Sequence, residues 1–575
     1  MSFPPAVEDR VRRAVLENAL DHDGAPHASA VMARLLATDA ALRPQAVELR
    51  SLVAQIVAEV ERLPPAELED RLASLGGRGP ARTPVEKSTG GEFPDLPGAI
   101  AGHVVLRIAP FPNGVLHIGH GRPLYVHQHY RERYDGKLLL VFDDTIGSEE
   151  KRAEPEFFDL IQQDCELAGV RPDAVYYKSD RIASHYPWAR RVIEKDGAYV
   201  CTCPAELLRE HRAKAIACPE RAQSQGETLD AWQKMLDGGF APGEAVLRLR
   251  SDIADPDPAF RDRVLFRRSD LDHPRVGRKY RVWPMLEFSW AVDDVELGVT
   301  HVLRGKELVI EDRMQQFIWA LLGVRGPPFL HWGLLRVREA KVAKSKANRD
   351  VKSGLFDGWA DPRTWSLRSL DRRGISMGAL RAFILSFGLS LSDIDVAAET
   401  LYAENRKRID GTTVRRAYVP DPVRVDVEGY PFDLTSLTLP NHPDRPELES
   451  REVRAGPSFY LPRSDLAAHP GSEVRLKDLL NVRLPAEITS TGAVRAEFTS
   501  RENRRLPRLQ WVGADGAVAV DLLGTDGTHS AGLGEAGLAG ARPRDIFQFE
   551  RVGFVRVDGN WVPGTSPLRV VYGHP

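Results

Sequence analysis

Cysteine is scarce: four residues in 575. That excludes a disulfide-built fold and fits a reducing compartment. Long apolar runs are also missing. No stretch reaches the roughly 18 residues needed to cross a bilayer, so no membrane partner is expected. The opening Met1-Ser2-Phe3-Pro4-Pro5 and the charged positions after it lack the basic-then-apolar order of a secretory leader, and the expected location is cytoplasmic. Net charge is nearly absent, −3 from 78 basic and 81 acidic side chains; taken alone, this argues against a polyanionic partner. Lysine is uncommon, 15 residues against 63 arginines, yet Lys341, Lys344, Lys346 and Lys352 crowd into twelve consecutive positions. Total charge hides that crowding.

The length suggests roughly four domains. Residues 1–76 read as helices, because Val11, Val15, Ala19 and then Leu49, Leu52, Val53, Ile56, Val57 and Val60 recur at spacings of three and four. Residues 77–98 are rich in Gly and Pro and read as a linker. From 99 to 199 the pattern alternates. A strand at His103–Ile108 precedes a helix from His117; a second strand, Lys137–Phe142, precedes a helix over Pro155–Leu167. Such βαβα alternation predicts a doubly wound parallel sheet. Residues 200–275 form a Cys- and Arg-bearing insert, and strands resume at Tyr280–Trp283 and Val299–Leu303 with a helix at Glu311–Leu322, closing the core at 349. Residues 350–410 look helical. From 411 to 575, short strands divided by Gly, Pro and Asp turns predict β-barrels. The expected fold class is multidomain, α/β followed by all-β.

Two segments carry chemistry. The first is Ala109-Pro110-Phe111-Pro112-Asn113-Gly114-Val115-Leu116-His117-Ile118-Gly119-His120. His117 and His120 stand three apart at a predicted helix start and share a face. A helix N-terminus offers N–H groups and partial positive charge to phosphate, and Gly119 removes a side chain where a flat ligand could meet the backbone. An isolated H-x-x-H is ordinarily a cap or plain surface, and no third metal ligand stands at a suitable spacing. The second is Glu339 to Asn348, containing Lys341-Val342-Ala343-Lys344-Ser345-Lys346, predicted as a mobile loop after a strand at Leu334–Val337. Alone it reads as a solvated face. Paired with the histidines on a doubly wound sheet, it fits nucleoside triphosphate chemistry, with lysines closing on a pyrophosphate leaving group.

His117-Ile118-Gly119-His120 with Lys341-Val342-Ala343-Lys344-Ser345 resembles the two signatures of class I aminoacyl-tRNA synthetases, and the intervening text is similar to the archaeal-type glutamyl branch. Supporting segments include Phe142-Asp143-Asp144-Thr145, Thr300-His301-Val302-Leu303-Arg304-Gly305-Lys306 and Phe547-Gln548-Phe549-Glu550-Arg551. The resemblance spans essentially the whole chain. It implies a Rossmann-like core (99–199 and 276–349), an acceptor-stem-binding insert (200–275), a helical stem-contact region (350–410) and anticodon-binding barrels (411–575), behind a helical N-terminal arm. It implies a monomeric ligase that uses ATP and Mg²⁺ to join glutamate to tRNA(Glu), with tRNA(Gln) as a possible second acceptor. His117, His120, Lys341 and Lys344 would be catalytic. Pro110, Asn113, Gly114, Ile118, Gly119 and Ser345 would join them around ATP. Arg107, Asp143 and Arg304 would hold glutamate, with Asp143 on the α-ammonium group and Arg304 on the γ-carboxylate, the grip that penalises glutamine.

The chain also departs from that pattern. Val141 stands where Arg is common, Ile146-Gly147 where Asp-Pro is usual, Leu286 where Tyr is frequent, Leu334 where Arg is common, and Ala343 replaces a serine. These changes keep two rivals in play: a specialised paralogue or glutaminyl ligase with an altered pocket, and an idle tRNA-binding relative. Cys201, Cys203 and Cys218 form C-x-C-x14-C. Structural zinc takes four ligands; no fourth cysteine is near, so ordinary thiols and no metal are expected.

Overall fold

The computed structural model describes residues 3–21, 26–28, 31–32, 35, 46–75, 92–145, 152–340, 344–488 and 493–575. The chain divides into two compact units, residues 1–89 and 90–575. In the first, α1 (Pro5–Asp21), α2 (Ala46–Val60) and α3 (Pro65–Ser74) follow the three-and-four spacing of the sequence. That spacing puts Val11, Val15 and Ala19 on one face, buried with Leu49, Val53, Ile56, Leu68 and Leu72. Arg12 pairs with Glu59 at 2.6 Å across α1 and α2. Most of the expected linker, 77–98, lies outside the described residues. Its described end is anchored on the second unit: Leu96 is buried there, and its N–H donates to the Tyr134 hydroxyl at 3.0 Å.

The second unit opens with the predicted alternation. β1 (Val105–Ile108), β2 (Lys137–Phe142) and β3 (Ala174–Tyr177) pair in parallel, joined by α4 (Gly121–Arg133) and α5 (Glu156–Leu167). β2 is buried at every position after Lys137, as a parallel strand covered on both faces must be. Further on, β4 (Ala198–Cys201), β5 (Val246–Leu249), β6 (Val264–Arg268) and β7 (Val282–Pro284) form an antiparallel sheet. It carries the insert and packs as a separate core around Trp232, Leu247 and Phe266. The chain then returns through α6 (Leu286–Glu296) to β8 (Val302–Gly305), α7 (Val309–Leu322) and β9 (Phe329–Trp332), which pairs in parallel with β8. Beside β8, Thr300 meets the other edge of β1: its N–H donates to the Val105 carbonyl at 2.9 Å, and its hydroxyl accepts the Val105 N–H at 2.9 Å. The strand order therefore reverses between β1 and β8, the switch point at which open α/β sheets bind ligands.

Three local expectations are corrected. The helix expected from His117 begins with a single tight turn, Ile118–His120, and only becomes α-helical at Gly121, because the His117 side chain caps the turn. The lysine-rich loop is partly helix: α8 runs Lys344–Lys352, where lysine, arginine and alanine favour helix and Ala347 is buried. The region 350–410 contains not only helices but a strand, β11 (Ile394–Val396), paired in parallel with β10 (Leu335–Val337); Ile394 and Val396 are β-branched residues separated by one acid. Lys341, Val342 and Ala343 lie outside the described residues, as do Ile146 and Gly147.

From Val414 on the chain is predominantly β, with a short helix at Arg463–Ala468. Among the described residues, one seven-stranded sheet takes Val414–Arg416 and Tyr418–Pro420 from the start of this region and the strands between Val518 and His574 from its end. A second seven-stranded sheet is built wholly from strands between Pro422 and Gly513. The second module is thus inserted into the first, and each has its own core. Buried Arg373 ties the helical region to this end, donating to the Tyr402 hydroxyl at 2.8 Å and the Gly573 carbonyl at 2.7 Å. No described helix is long and apolar enough to cross a membrane.

Candidate active site

The His117–His120 turn is built from reciprocal hydrogen bonds. The Gly119 N–H donates to His117 Nδ1 at 3.0 Å, and the His117 N–H donates to His120 Nδ1 at 3.1 Å. With both Nδ1 atoms accepting, each neutral imidazole carries its hydrogen on Nε2, the tautomer that donates to a phosphate oxygen. The rings lie 4.1 Å apart. Gly119 is required by space: a Cβ there would sit 2.8 Å from His117 Cε1. The turn is strapped by residues 365–367, with the Ile118 N–H on the Trp365 carbonyl and the Leu367 N–H on the Leu116 carbonyl, both at 3.0 Å. Beneath it, Asp164 accepts the Leu116 N–H at 2.8 Å and Arg368 Nε at 2.7 Å; burial pushes its carboxyl up to about 6.

His117, Ile118 and Gly119 share a cleft of about 330 Å³ with Leu335–Arg338 of β10 and its continuation, Ala340, Trp365 and Asp395. β10 leads from this cleft towards the lysine segment. Glu154 links the histidine and lysine segments further. Its N–H donates to the Pro112 carbonyl at 2.9 Å, while its carboxylate takes Asn348 Nδ2 at 3.1 Å and the Lys352 ammonium of α8. Lys344 and Ser345 open α8; Lys341 lies outside the described residues. Asn113 closes a turn onto Phe111 at 3.0 Å, and Pro110 takes the Asp143 N–H at 3.1 Å. The approach to the turn is thereby joined to the end of β2.

Around Asp143 is a second, charge-dense pocket. Asp143 follows β2 and Lys178 follows β3, directly alongside, and their side chains pair at 2.9 Å. The Lys178 ammonium is fully buried, donates to Ser289 Oγ at 2.6 Å and lies 3.4 Å from the Trp290 ring centre. Burial pushes its pKa down, against the pull of Asp143. Arg107 Cζ is 3.5 Å from the same ring; its Nε and Nη2 donate to Asp294 at 2.5 and 3.0 Å. Buried Arg304 donates through Nε to Asp312 Oδ1 at 2.7 Å and through Nη2 to Gln315 at 2.9 Å. Its pKa is lowered by burial first and by the Arg107 charge second. Asp144 accepts the Ser179 N–H and hydroxyl at 2.9 and 2.7 Å, and burial raises it to about 6.

All three cations expected or found here, Arg107, Lys178 and Arg304, therefore already hold an internal carboxylate. Of the departures from the resembled pattern, Val141 shares a buried cluster with Trp290, and Leu286 packs against that cluster. Leu334 lies apart, its N–H on Asp393 Oδ1 at 2.9 Å. Lys178, Trp290, Asp294 and Asp312 were not singled out from sequence. One signal was available, since a lysine at a strand end is conspicuous in a chain that otherwise uses arginine.

The cysteines lie closer to a candidate metal site than their spacing suggested. Cys201, Cys203 and Cys218 come together with Glu220, their donor atoms all within 4.8 Å of one another. Arg248 Nη1 lies 3.0 Å from Cys218 Sγ. A carboxylate thus stands where a fourth cysteine or histidine was sought, and three sulfurs with one oxygen are a donor set that could hold zinc.

Three segments match models of the class I tRNA synthetases (E and Q): the catalytic domain over residues 103–411, and anticodon-binding domains over 413–499 and 508–558. The chain is 37% identical over 579 residues to a glutamate–tRNA ligase of Methanopyrus kandleri, covering 99% of each. It is 37% identical over 559 residues to one of Methanothrix thermoacetophila, covering 96% of this chain and 97% of that protein. It is 38% identical over 563 residues to one of Pyrococcus abyssi, with the same coverage. With its histidine turn beside the strand that leads to the lysine helix and such likeness from end to end, the chain belongs to the class I tRNA synthetases of the glutamate and glutamine branch.

Proposed function

We propose that the chain is a glutamate–tRNA ligase. An oxygen of the glutamate α-carboxylate attacks the α-phosphorus of ATP, the α–β phosphoanhydride bond breaks, and pyrophosphate leaves. A hydroxyl of the terminal adenosine of tRNA(Glu) then attacks the activated carbonyl and AMP departs; the resemblance supplies the 2′ position for that hydroxyl. The observation that carries this reading is the cleft that the His117–Gly119 turn shares with β10, the strand leading to the lysine helix, with His120 hydrogen-bonded into the same turn.

His117 and His120 donate to the phosphate oxygens as charge builds on the α-phosphorus, and Lys341 and Lys344 hold the departing pyrophosphate. Pro110, Asn113, Gly114, Ile118, Gly119 and Ser345 shape the nucleotide seat. Mg²⁺, if bound with the nucleotide, would supply further neutralisation of the phosphates; Asp395, which borders the cleft, pairs with Arg338 at 2.5 Å. Arg107, Asp143 and Arg304 orient glutamate. The insert takes the acceptor stem, and the C-terminal sheets read anticodon bases splayed from their loop. The enzyme works as a cytoplasmic monomer, with tRNA(Gln) as a second acceptor to be tested.

Charging purified tRNA(Glu) and tRNA(Gln) with labelled glutamate or glutamine tests this. Glutamate transfer to tRNA(Glu) is expected; no glutamate transfer by the folded protein overturns the proposal. A specialised amino-acid pocket is a second reading, favoured by the place of Val141 in the buried cluster of Trp290 and of Leu286 against that cluster.

A further inference from the structure

Asp143 is the carboxylate expected to receive the substrate's α-ammonium, and it is already matched. Lys178 sits 2.9 Å from its Oδ1, and three surroundings hold the ammonium there. Ser289 Oγ accepts from it at 2.6 Å, the Trp290 ring centre is 3.4 Å away, and the side chain is wholly buried. The stem cannot swing out to water without vacating a packed site. An incoming α-ammonium must therefore share one carboxylate with a second fixed ammonium, in a region where charges are poorly screened.

We propose that Lys178 is a specificity-determining residue that stands in for the substrate's α-ammonium, so that the pocket also activates dicarboxylic acids with a neutral group at the α-position, of which 2-hydroxyglutarate is the simplest counterpart of glutamate. The proposal rests on the ligase reading above. A hydroxyl meets no like charge at the Asp143–Lys178 pair: it can donate to the carboxylate and accept from the ammonium, which a cationic substituent cannot do. The remaining contacts proposed for glutamate, at Arg107 and Arg304, do not involve the α-substituent and are common to both acids. The reaction is the same adenylation. A carboxylate oxygen bonds to the α-phosphorus, the bond to the bridging oxygen breaks, and pyrophosphate carries away the charge, with no change of oxidation state.

The test is ATP–pyrophosphate exchange by the full-length protein with L-glutamate and with 2-hydroxyglutarate of the same configuration. The wild type is expected to use both, with kcat/KM values within about tenfold. Lys178→Met keeps the stem and removes the charge. It is expected to raise kcat/KM for glutamate at least tenfold through KM, and to lower that for the hydroxy acid. A merely structural lysine would depress both together. Lys178→Gln serves if the methionine variant fails to fold, and the wild-type ratio decides if both do. Wild-type exchange with glutamate alone, at a ratio no variant changes, overturns the proposal and leaves the ligase reading intact. Absence of exchange with either acid, in folded wild type and variants alike, sinks the ligase reading and this proposal with it.

Discussion

Arg304 and Asp312 form a buried pair in which two guanidinium nitrogens converge on one carboxylate oxygen, Nε at 2.7 Å. His331 Nε2 lies 2.6 Å from the other oxygen. The arginine proposed to grip the substrate γ-carboxylate is thus held in a fixed orientation by a carboxylate of the protein. Pre-orientation of this kind reduces the ordering cost of binding.

Arg304→Ala leaves Asp312 buried without its partner and should cost about 3–5 kcal/mol of stability. Adding Asp312→Asn removes the orphaned charge and should restore most of that in thermal melts. Glutamate activation should stay down by about 10- to 100-fold in both variants, the worth of a charged hydrogen bond. Recovery of activation along with stability in the double variant would reduce Arg304 to a structural ion pair.

Gly119→Ala should impair adenylate formation while leaving the fold intact, because the added Cβ falls 2.8 Å from His117 Cε1 and 3.0 Å from Nδ1 and displaces the imidazole. His120→Ala and Lys344→Ala should each lower the rate of ATP–pyrophosphate exchange by about 100- to 1,000-fold, as loss of a donor to developing charge does. Affinity for tRNA, followed by filter binding, should change little. Equal losses in exchange and tRNA binding would count against the assigned roles.

His127 packs edge-on against Trp332, with Nδ1 at 2.5 Å from the Pro123 carbonyl, and burial lowers its pKa to about 4. The unfolded chain takes up this proton near pH 6.5, whereas the folded chain resists until about 4. Stability from this group is therefore complete above pH 6.5 and declines as pH falls to 4, by about 3 kcal/mol in all. Asp144 and Asp164, raised to about 6, act in the opposite sense and gain stability over the same descent. They are common to wild type and His127→Gln, so they cancel in the comparison. The stability difference between the two proteins should move by about 3 kcal/mol between pH 6.5 and 4, in favour of the variant at the acid end. A difference independent of pH would show that His127 titrates normally.

The Cys201, Cys203, Cys218 and Glu220 cluster should retain about one zinc per chain in protein purified without chelators. Burial pushes the Cys201 and Cys203 thiols up, and a bound divalent cation would reverse that by stabilising thiolates. Elemental analysis and melting with and without a chelator check this. Glu220→Ala should lower metal retention. Metal-free protein with an unchanged melting curve would leave the cysteines as ordinary thiols.

Much of the architecture was legible because it is written locally. Val11, Val15 and Ala19 announce a helix face by spacing alone, and Leu138 to Phe142 announce a buried strand. The tight turn at Ile118–His120 was not legible, since its start is set by a histidine side chain acting as a cap, a role that serine, threonine, aspartate and asparagine ordinarily fill. Nor was the helix at Lys344–Lys352: three lysines and a serine read as solvent-facing loop until Ala347 is seen to be buried. The fourth donor of the cysteine cluster escaped because any of many glutamates could have filled it.

The sequence alone determined which residue types were available and on which strand or turn several of them would sit: His117 and His120 after β1, and Asp143 after β2. Period and turn chemistry act over a few residues, so these placements need no long-range information. Only the tertiary structure decided which charge meets which. Arg107 finds Asp294 187 positions away, Lys178 finds Ser289 111 positions away, and three cations end up each holding its own acid. A net charge of −3 could not reveal that balance, because electrostatic energy depends on separation and burial, and folding alone sets both.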